Sequence, residues 1–208
     1  MRTNRGQWTL RILFGGILLT AGAATAALVE GTNCGFVTVA PTEDPQGSAG
    51  QLDAYATASR FTSPAGAVVV TEIGWWCDNA TEAANWEAGI YTNSGTAPAT
   101  LLDGVSRTNA KGTDGGWKRA TGLSIIVSPN TVYWLAVQLD NTATTTNYNR
   151  EVDAAYARES KARSSLAQPW DPGTAGSYLG GIYAVYESQS VTSIPILLYH
   201  YRSTHNAN

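Results

Sequence analysis

A run of short apolar or alternating segments extends from Glu72 to Asp140 and limits the fold more than any other feature of the chain. The segments TEIGWWC, NWEAGIYT, TGLSIIVS and NTVYWLAVQLD are rich in Val, Ile, Thr, Tyr and Trp, and turn-forming residues lie between them. Segments of this length and composition are typical of β-strands joined by tight turns. The sequence therefore predicts an all-β protein built as a single antiparallel β-sandwich.

The first residues of the chain have the layout of a signal peptide. Three arginines precede an apolar run over residues 12–29, and no acidic residue occurs before Glu30. Small residues in the triplet Ala-Thr-Ala at 24–26 predict cleavage before Ala27, which leaves one sandwich domain over residues 27–208. The alternative is an uncleaved N-terminal helix that anchors the chain in a membrane or packs in a filament core.

Charge and composition favour an extracellular or cell-surface protein. Charged residues make up 14% of the chain, which is low, and Gly, Thr, Ser and Asn supply much of the polarity. Loss of the leader changes the formal charge from −3 to about −6, because three arginines and no acids are removed. Such a surface repels nucleic acid. We expect no nucleic-acid partner, and contact with a membrane only through an uncleaved N-terminal segment.

The two cysteines predict a disulfide. Cys34 lies close to the mature N-terminus and Cys77 ends the segment TEIGWWC. In an oxidising compartment an isolated pair of cysteines forms a bond more often than not. A Cys34–Cys77 bond would attach the N-terminal segment to the sandwich. The alternative is two buried thiols in the core.

Side-chain alternation indicates which residues share a face of each strand. The period-two rule puts Trp75 and Trp76 on opposite faces, with Val69, Thr71 and Ile73 on the Trp75 face. The segment that ends at Leu139 reads as a central strand with two apolar faces. One face holds Tyr133, Leu135, Val137 and Leu139, and the other holds Trp134, Ala136 and Gln138.

The C-terminal part of the chain is less regular. TATTTNYN, residues 142–149, reads as a loop. Residues 150–167 fit a helix as well as two strands, and the all-β context favours strands. SIPILLYHYR, residues 193–202, predicts an additional C-terminal strand that is either an edge strand or an assembly surface.

Several motifs resemble those of a widespread group of extracellular sandwiches. The succession IGWW, NWEAGIYTNSGTAPATLLDG, a GGW turn, SPNTVYWLAVQLD and GGIYAVYES covers about residues 56–188. It is similar to jelly-roll-like domains of the choice-of-anchor type and to accessory modules of bacterial surface proteins, polysaccharide-active enzymes and phage tail proteins. The resemblance implies a jelly-roll-like sandwich and says little about activity, because these motifs are packing signatures.

No catalytic pattern converges in the sequence. His200 and His205 lie near the C-terminus without metal-ligand spacing, and no nucleophile-elbow, zinc-protease, phosphate-loop or EF-hand motif occurs. Sequence alone cannot give the carboxylate separation that glycoside hydrolysis requires. We therefore expect no enzyme and no organic cofactor. Two carboxylate pairs are nevertheless conceivable, Glu72 with Glu87 and Asp78 with Glu82.

Aromatic residues near turns carry the strongest functional indication. An aromatic ring can stack on the apolar face of a sugar, and nearby carboxylates can bind its hydroxyls, although tryptophans in sandwiches are often core residues. We therefore predict a carbohydrate-binding or adhesive module, with a self-assembling structural subunit as the alternative. The candidate ligand-binding residues are Trp76, Trp117, Trp170, Tyr148, Asp78 and Asp114. A structural calcium ion is a secondary expectation, at Asp140, Asn141 and Asp153.

Overall fold

The computed structural model describes residues 26–189, apart from 47, 52–54, 81–82, 84, 103–106, 111, 140–143, 151–155, 160–165 and 172–173. The predicted signal peptide, except Ala26, and the predicted strand at 193–202 lie outside the described residues. Within the described part the chain forms β-strands and no helix, so none of its segments is a membrane-spanning helix. The predicted all-β class is confirmed there.

The described strands vary from two to twelve residues in length. In chain order they are β1 (Ala26–Ala27), β2 (Gly35–Val37), β3 (Pro45–Gln46), β4 (Ser48–Gln51), β5 (Ala56–Thr62), β6 (Val68–Cys77), β7 (Asn79–Ala80), β8 (Asn85–Ser94), β9 (Ala97–Leu101), β10 (Arg107–Ala110), β11 (Gly116–Val127), β12 (Val132–Leu139), β13 (Thr144–Arg150), β14 (Tyr156–Glu159), β15 (Thr174–Gly176), β16 (Tyr178–Gly180) and β17 (Ile182–Ser188).

A seven-stranded sheet forms one layer of the sandwich. Its order is β10-β8-β12-β5-β14-β15, and β9 also pairs with β8. β12 lies in the middle and pairs antiparallel with β8 and β5. Its alternation is as predicted, since Leu135 and Val137 face the main core while Trp134 and Ala136 face the opposite side. Both faces of a strand in this position are buried, which explains its nearly continuous apolar sequence.

A four-stranded sheet, β11-β6-β17-β2, forms the second layer. Its pairs are antiparallel except β2 with β17, which is parallel. The main core lies between the two layers, where Trp75 of β6 and Trp86 of β8 meet edge to face with ring centroids 5.9 Å apart. Trp75 therefore points inward and Trp76 outward, as the alternation of the sequence predicts.

A bulge in β6 changes which residues share a face. Val70 pairs with Ile125 and Tyr186, and Glu72 pairs with Thr121 and Val185, so the register of both neighbouring strands shifts at Thr71. Relative to β17, β6 has one extra residue here, and this residue reverses the alternation of its side chains beyond it; β11 in turn has two residues more than β6 in the same interval. Val70 therefore lies in the core with Ile73, and the expectation that Val69 and Thr71 share the face of Ile73 is wrong.

A third sheet lies at one end of the sandwich. Its order is β16-β13-β4, and β7 also pairs with β13. Each of these strands is next in the chain to a strand of one of the two large sheets. β4 precedes β5 and β16 precedes β17, while β7 follows β6 and β13 follows β12. The predicted loop at 142–149 is therefore wrong for residues 144–149. The preference for strands at 150–167 is confirmed at β14.

The outer face of the seven-stranded sheet is covered by residues 166–170. Leu166 and Trp170 pack there against Tyr91 and Trp134 in a second apolar cluster. The Leu166 amide donates to Glu87 Oε2 at 2.5 Å, and the Tyr91 hydroxyl donates to the Ala167 carbonyl at 2.5 Å. These buried hydrogen bonds and ring contacts hold the segment against the sheet.

Candidate functional site

Two tryptophans stand opposite each other on the outer face of the four-stranded sheet. Trp76 of β6 pairs with Trp117 of β11, and their ring centroids are 5.4 Å apart with the planes at 70°. Both side chains are half-buried, so each keeps some surface in contact with solvent. This T-shaped arrangement is favourable for aromatic rings and restricts the orientation of both.

Tyr183 of β17 extends this pair across the sheet. Its ring centroid is 5.0 Å from that of Trp117, and its ring crosses β6 over Gly74, where any larger residue would collide with it. The Tyr183 hydroxyl donates a hydrogen bond to Glu72. Burial, that hydrogen bond and the charge of Glu72 raise the pKa of Tyr183, against the opposing charge of Arg119. We call Trp76, Trp117 and Tyr183 the aromatic patch.

The segment before β3 borders the aromatic patch. The indole Nε1 of Trp117 donates to the Glu43 carbonyl at 2.9 Å, and Arg119 Nη2 donates to the Pro41 carbonyl at 2.8 Å. Arg119 Nε also lies 3.8 Å from Glu72 Oε1. The position of Trp117 is thus set both by its ring neighbours and by a hydrogen bond to a distant part of the chain.

Three carboxylates lie beside the aromatic patch, and we call them the acidic rim. Asp78 follows Trp76 by two residues and is exposed. Exposed Asp114 precedes Gly115, where an added β-carbon would lie 3.0 Å from the Asp78 carbonyl oxygen. The third is the half-buried Asp44. Burial and the nearby charge of Asp78 raise the pKa of the Asp44 carboxyl above its ordinary value.

The structure therefore brings together four of the six predicted ligand-binding residues: Trp76, Trp117, Asp78 and Asp114. Sequence reasoning missed Asp44, Tyr183 and Gly74. The two adjacent acidic residues in PTEDPQ mark Asp44 as a candidate. Its proximity to Asp78 could not be predicted, because the two residues are far apart in the sequence. Tyr183 lies in a strand predicted from GGIYAVYES, and nothing local shows which strand it crosses.

Trp170 belongs elsewhere, and its predicted role as an exposed platform is wrong. Its side chain is 6% exposed and meets Tyr91 edge to face on the outer side of the seven-stranded sheet, with centroids 5.1 Å apart. The Trp170 amide donates to the Ala99 carbonyl at 3.0 Å. Trp170 is therefore a core residue of the segment that covers this sheet.

The remaining predicted ligand residues are only partly described. The main chain of Tyr148 pairs with Ser48 and Gly180 in the third sheet, and its side chain lies outside the described residues. The calcium candidates Asp140, Asn141 and Asp153 also lie outside them. Among the residues that the structure describes, no group of three His, Cys, Asp or Glu side chains is arranged to hold a metal ion.

The predicted Cys34–Cys77 disulfide is not formed in the structure, where both residues are buried thiols. Cys34 directly precedes β2, and β17 lies between β2 and β6. Residues on β2 and β6 are therefore separated by two strand spacings, roughly 10 Å, whereas a disulfide needs Cα atoms within about 7 Å. Burial, with the charge of Glu30, raises the pKa of the Cys34 thiol and disfavours its reactive thiolate.

The first conceivable catalytic pair is separated by the fold. Glu72 lies beside Tyr183 on the outer side of the four-stranded sheet, and Glu87 lies beside Leu166 on the outer side of the seven-stranded sheet. The whole core lies between them, so these two carboxylates cannot act on one glycosidic bond. Glu82, the partner proposed for Asp78, and both histidines lie outside the described residues.

Ionisation of Asp44 should affect stability in a defined direction. Because its pKa is raised in the folded chain, the folded state binds more protons than the unfolded state between the ordinary and the raised pKa, and stability falls as pH rises through this window. We expect Asp44→Asn to flatten this slope and to be slightly more stable than the native chain at neutral pH. Thermal unfolding from pH 3 to 7 measures it, with Glu187→Gln, an exposed carboxylate at the far end of the sheet, as the control. An unchanged slope in Asp44→Asn would contradict the assignment.

Comparison with known proteins identifies no relative of this chain. Neither the protein-family models, nor the curated proteins, nor the solved structures include a match to this chain.

Proposed function

We propose that the chain is an exported, non-catalytic binding module of the cell surface, with a jelly-roll-like sandwich, that binds carbohydrate at the aromatic patch. The observation that carries this proposal is a half-exposed cross-strand tryptophan pair with the neighbouring carboxylates of Asp44 and Asp78 close by. Sites for small ligands combine apolar rings with a few well-placed polar groups, and this combination suits a sugar with its apolar ring face and its hydroxyls.

The acidic rim narrows the ligand class. Asp44, Asp78 and Asp114 accept hydrogen bonds from hydroxyl or ammonium groups, and their charge adds to a formal net charge of −3. An anionic polysaccharide would be repelled. Neutral sugars and sugars with a protonated amine are therefore the ligands that fit this site, and the amine-bearing ones gain an additional charge interaction.

Trp117→Ala is expected to weaken carbohydrate binding at least about tenfold, since it removes one of the two rings on which a sugar would stack. Trp117→Phe retains an aromatic face and should lose less. The measurement is affinity electrophoresis and pull-down with chitin, chitosan, cellulose and alginate, after circular dichroism has shown that each variant is folded.

Two carboxylate variants complete this experiment. Asp78→Asn should weaken binding to chitosan more than binding to chitin, because the charge interaction is lost while the rings remain. Glu187→Gln, at the opposite end of the same sheet, should bind like the native chain. If the native chain binds none of these polysaccharides, or if folded Trp117→Ala binds as tightly as the native chain, the proposal fails.

The second candidate function is a self-assembling structural subunit of a surface layer, filament or phage particle. The specific observation in its favour is the long strand β11, which lies at the edge of the four-stranded sheet among the described residues and in which the side chain of Ile126 is 65% exposed. Exposed sheet edges can pair with another chain. Sedimentation velocity at several concentrations distinguishes the candidates, since a binding module would remain monomeric and an assembling subunit would form large species.

A further inference from the structure

Residues 38–44 pass over the outer face of the four-stranded sheet, and we call them the strap. The strap follows β2 directly, and hydrogen bonds connect its main chain to side chains of β11. β17 and β6 lie between β2 and β11 in the sheet order, so the strap extends across the face between them. Every residue of the strap is described, and none belongs to a strand. The strap is therefore held on the sheet by side chains and not by a ladder of main-chain hydrogen bonds.

The strap lies over the ring of Tyr183. This ring is on the outer face of the sheet, yet its exposed fraction is 0%. The residues that pair with Tyr183 are Gly35 and Gly74, and neither has a side chain that could cover the ring. Trp117 covers one side of it, with the ring centroids 5.0 Å apart. Because Trp117 and Arg119 both bind the strap beside this ring, we infer that the strap supplies the remaining cover.

The contacts that attach the strap are easily broken. The hydrogen bonds from Trp117 Nε1 to the Glu43 carbonyl and from Arg119 Nη2 to the Pro41 carbonyl are both exposed to solvent. Water can replace the partner in such a bond, so each contributes little net stability. Lifting the strap also removes little apolar surface from the core, because four of its seven side chains are already exposed: Thr38, Val39, Thr42 and Glu43.

Charge at the C-terminal end of the strap opposes closure. Burial, and next the charge of Asp78, raises the pKa of the Asp44 carboxyl. Both causes arise because the closed strap takes Asp44 partly out of water and brings it towards a like charge. Arg119 and Glu72 lie at the other end of the strap, beside Pro41, where Arg119 favours closure through its hydrogen bond. The two ends of the strap are thus biased in opposite directions.

We propose that the strap is a lid on the aromatic patch, and that its opening exposes Tyr183 as a third ring beside Trp76 and Trp117. The structure shows the closed position, in which the tryptophan pair is accessible and Tyr183 is covered. Opening breaks two exposed hydrogen bonds and separates Asp44 from Asp78. A row of three rings suits an oligosaccharide, because successive sugar units can each stack on a ring. The contact between Tyr183 and sugar rests on the proposed function, whereas the opening of the strap does not.

Exchange of indole hydrogens, followed by NMR, measures the opening without any ligand. The Trp117 Nε1 hydrogen is released when the strap lifts. The Trp134 Nε1 hydrogen belongs to a fully buried side chain and is bound by Asn93 Oδ1 at 2.9 Å, so it is released only when the sheet opens. We expect the Trp117 hydrogen of the native chain to exchange at least about a hundredfold faster than that of Trp134. Trp117→Phe and Trp134→Phe assign the two signals, and equal rates would overturn the proposal.

Two variants change the balance between the closed and the open strap. Arg119→Ala removes one attachment and should speed exchange of the Trp117 hydrogen about tenfold, whereas Asp44→Asn removes the repulsion and should slow it about threefold at pH 7. Glu187→Gln, an exposed carboxylate elsewhere on the sheet, is the control for Asp44→Asn and should exchange like the native chain. An unchanged Trp134 rate in each variant shows that the core is intact. An unchanged Trp117 rate in either Arg119→Ala or Asp44→Asn would overturn the lid.

Binding of chitin oligomers tests whether the open strap serves the ligand. A hexamer is long enough to reach Tyr183 as well as the tryptophan pair, so Arg119→Ala should bind the hexamer about threefold more tightly than the native chain and the dimer equally well. Equal hexamer affinities, with faster Trp117 exchange in Arg119→Ala, would overturn the role of the strap at the ligand site. If the native chain binds neither oligomer, the proposed function fails together with the ligand contact of Tyr183, while the exchange rates still decide whether the strap opens.

Discussion

Replacing Gly74 with alanine is expected to lower the midpoint of thermal unfolding by roughly 6–12 °C. A β-carbon on Gly74 would collide with Cζ of the Tyr183 ring and would lie 2.5 Å from its Cε1. The ring cannot simply move away, because it is fully buried, packs against Trp117 and is held by Glu72. Overpacking of this kind costs about 3 kcal/mol, which corresponds to that shift in a chain of this size.

Two controls separate the collision from a general effect of replacing glycine. No atom lies within 4 Å of the position that a β-carbon on Gly66 would occupy, so Gly66→Ala should unfold close to the native midpoint. In a Tyr183→Ala background the ring is absent, and Gly74→Ala should then cost little. Equal effects of Gly74→Ala in both backgrounds would show that the ring does not lie over Gly74.

The same variant tests the connection between the core and the proposed site. If Tyr183 is displaced, Trp117 loses the ring against which it packs, although its Nε1 keeps the Glu43 carbonyl as a partner. We therefore expect folded Gly74→Ala to bind carbohydrate more weakly than Gly66→Ala.

Regular strands with two buried faces are predicted well from the sequence. In β12 the side chains alternate strictly between the face of Leu135 and the face of Trp134, because β5 and β8 both pair with the strand without a register shift. β6 differs, since it has one residue more than its neighbour β17 at Thr71, and this residue reverses the alternation. A bulge depends on the register of the neighbouring strands, and the local sequence of β6 does not encode that register.

Strands of low apolar content are also hard to predict. The polar sequence of β13, TTTNYNR, has the composition of a loop, yet it forms the middle strand of the third sheet. Its partners β4, β7 and β16 are far apart in the chain. Tertiary pairing decides the conformation of such a segment, and β-propensity alone contributes little.

The candidate site could be predicted in part, because each of its two tryptophans has a clear position in the sequence pattern. Trp76 is outward by parity with Trp75, and Trp117 directly follows a glycine turn. Trp170 also lies beside a turn, in QPWDPG, and carries the same local signal. The two tryptophans differ in their surroundings. Residues 166–170 fold onto the outer face of the seven-stranded sheet and bury Trp170, whereas Trp117 stays half-buried. The burial of a tryptophan near a turn therefore depends on long-range contacts.

Trp170→Ala is expected to destabilise the chain by about 3–5 kcal/mol and to lower the unfolding midpoint by roughly 6–20 °C. The substitution removes a ring that covers Tyr91, and it leaves the buried hydrogen bond from Tyr91 to Ala167 open to water. Hydrogen exchange over residues 166–170 should increase as well. Trp170→Phe retains an aromatic ring against Tyr91 and should lose less than half as much stability.

Binding separates this role from that of an exposed sugar platform. Trp170 lies on the opposite layer of the sandwich from the aromatic patch, so folded Trp170→Ala should bind polysaccharide as the native chain does. Trp117→Ala should show the reverse, a loss of binding with a smaller loss of stability, because the side chain of Trp117 is only half-buried. A Trp170→Ala variant with native stability and weakened binding would contradict its place in the core and would restore Trp170 as a ligand contact.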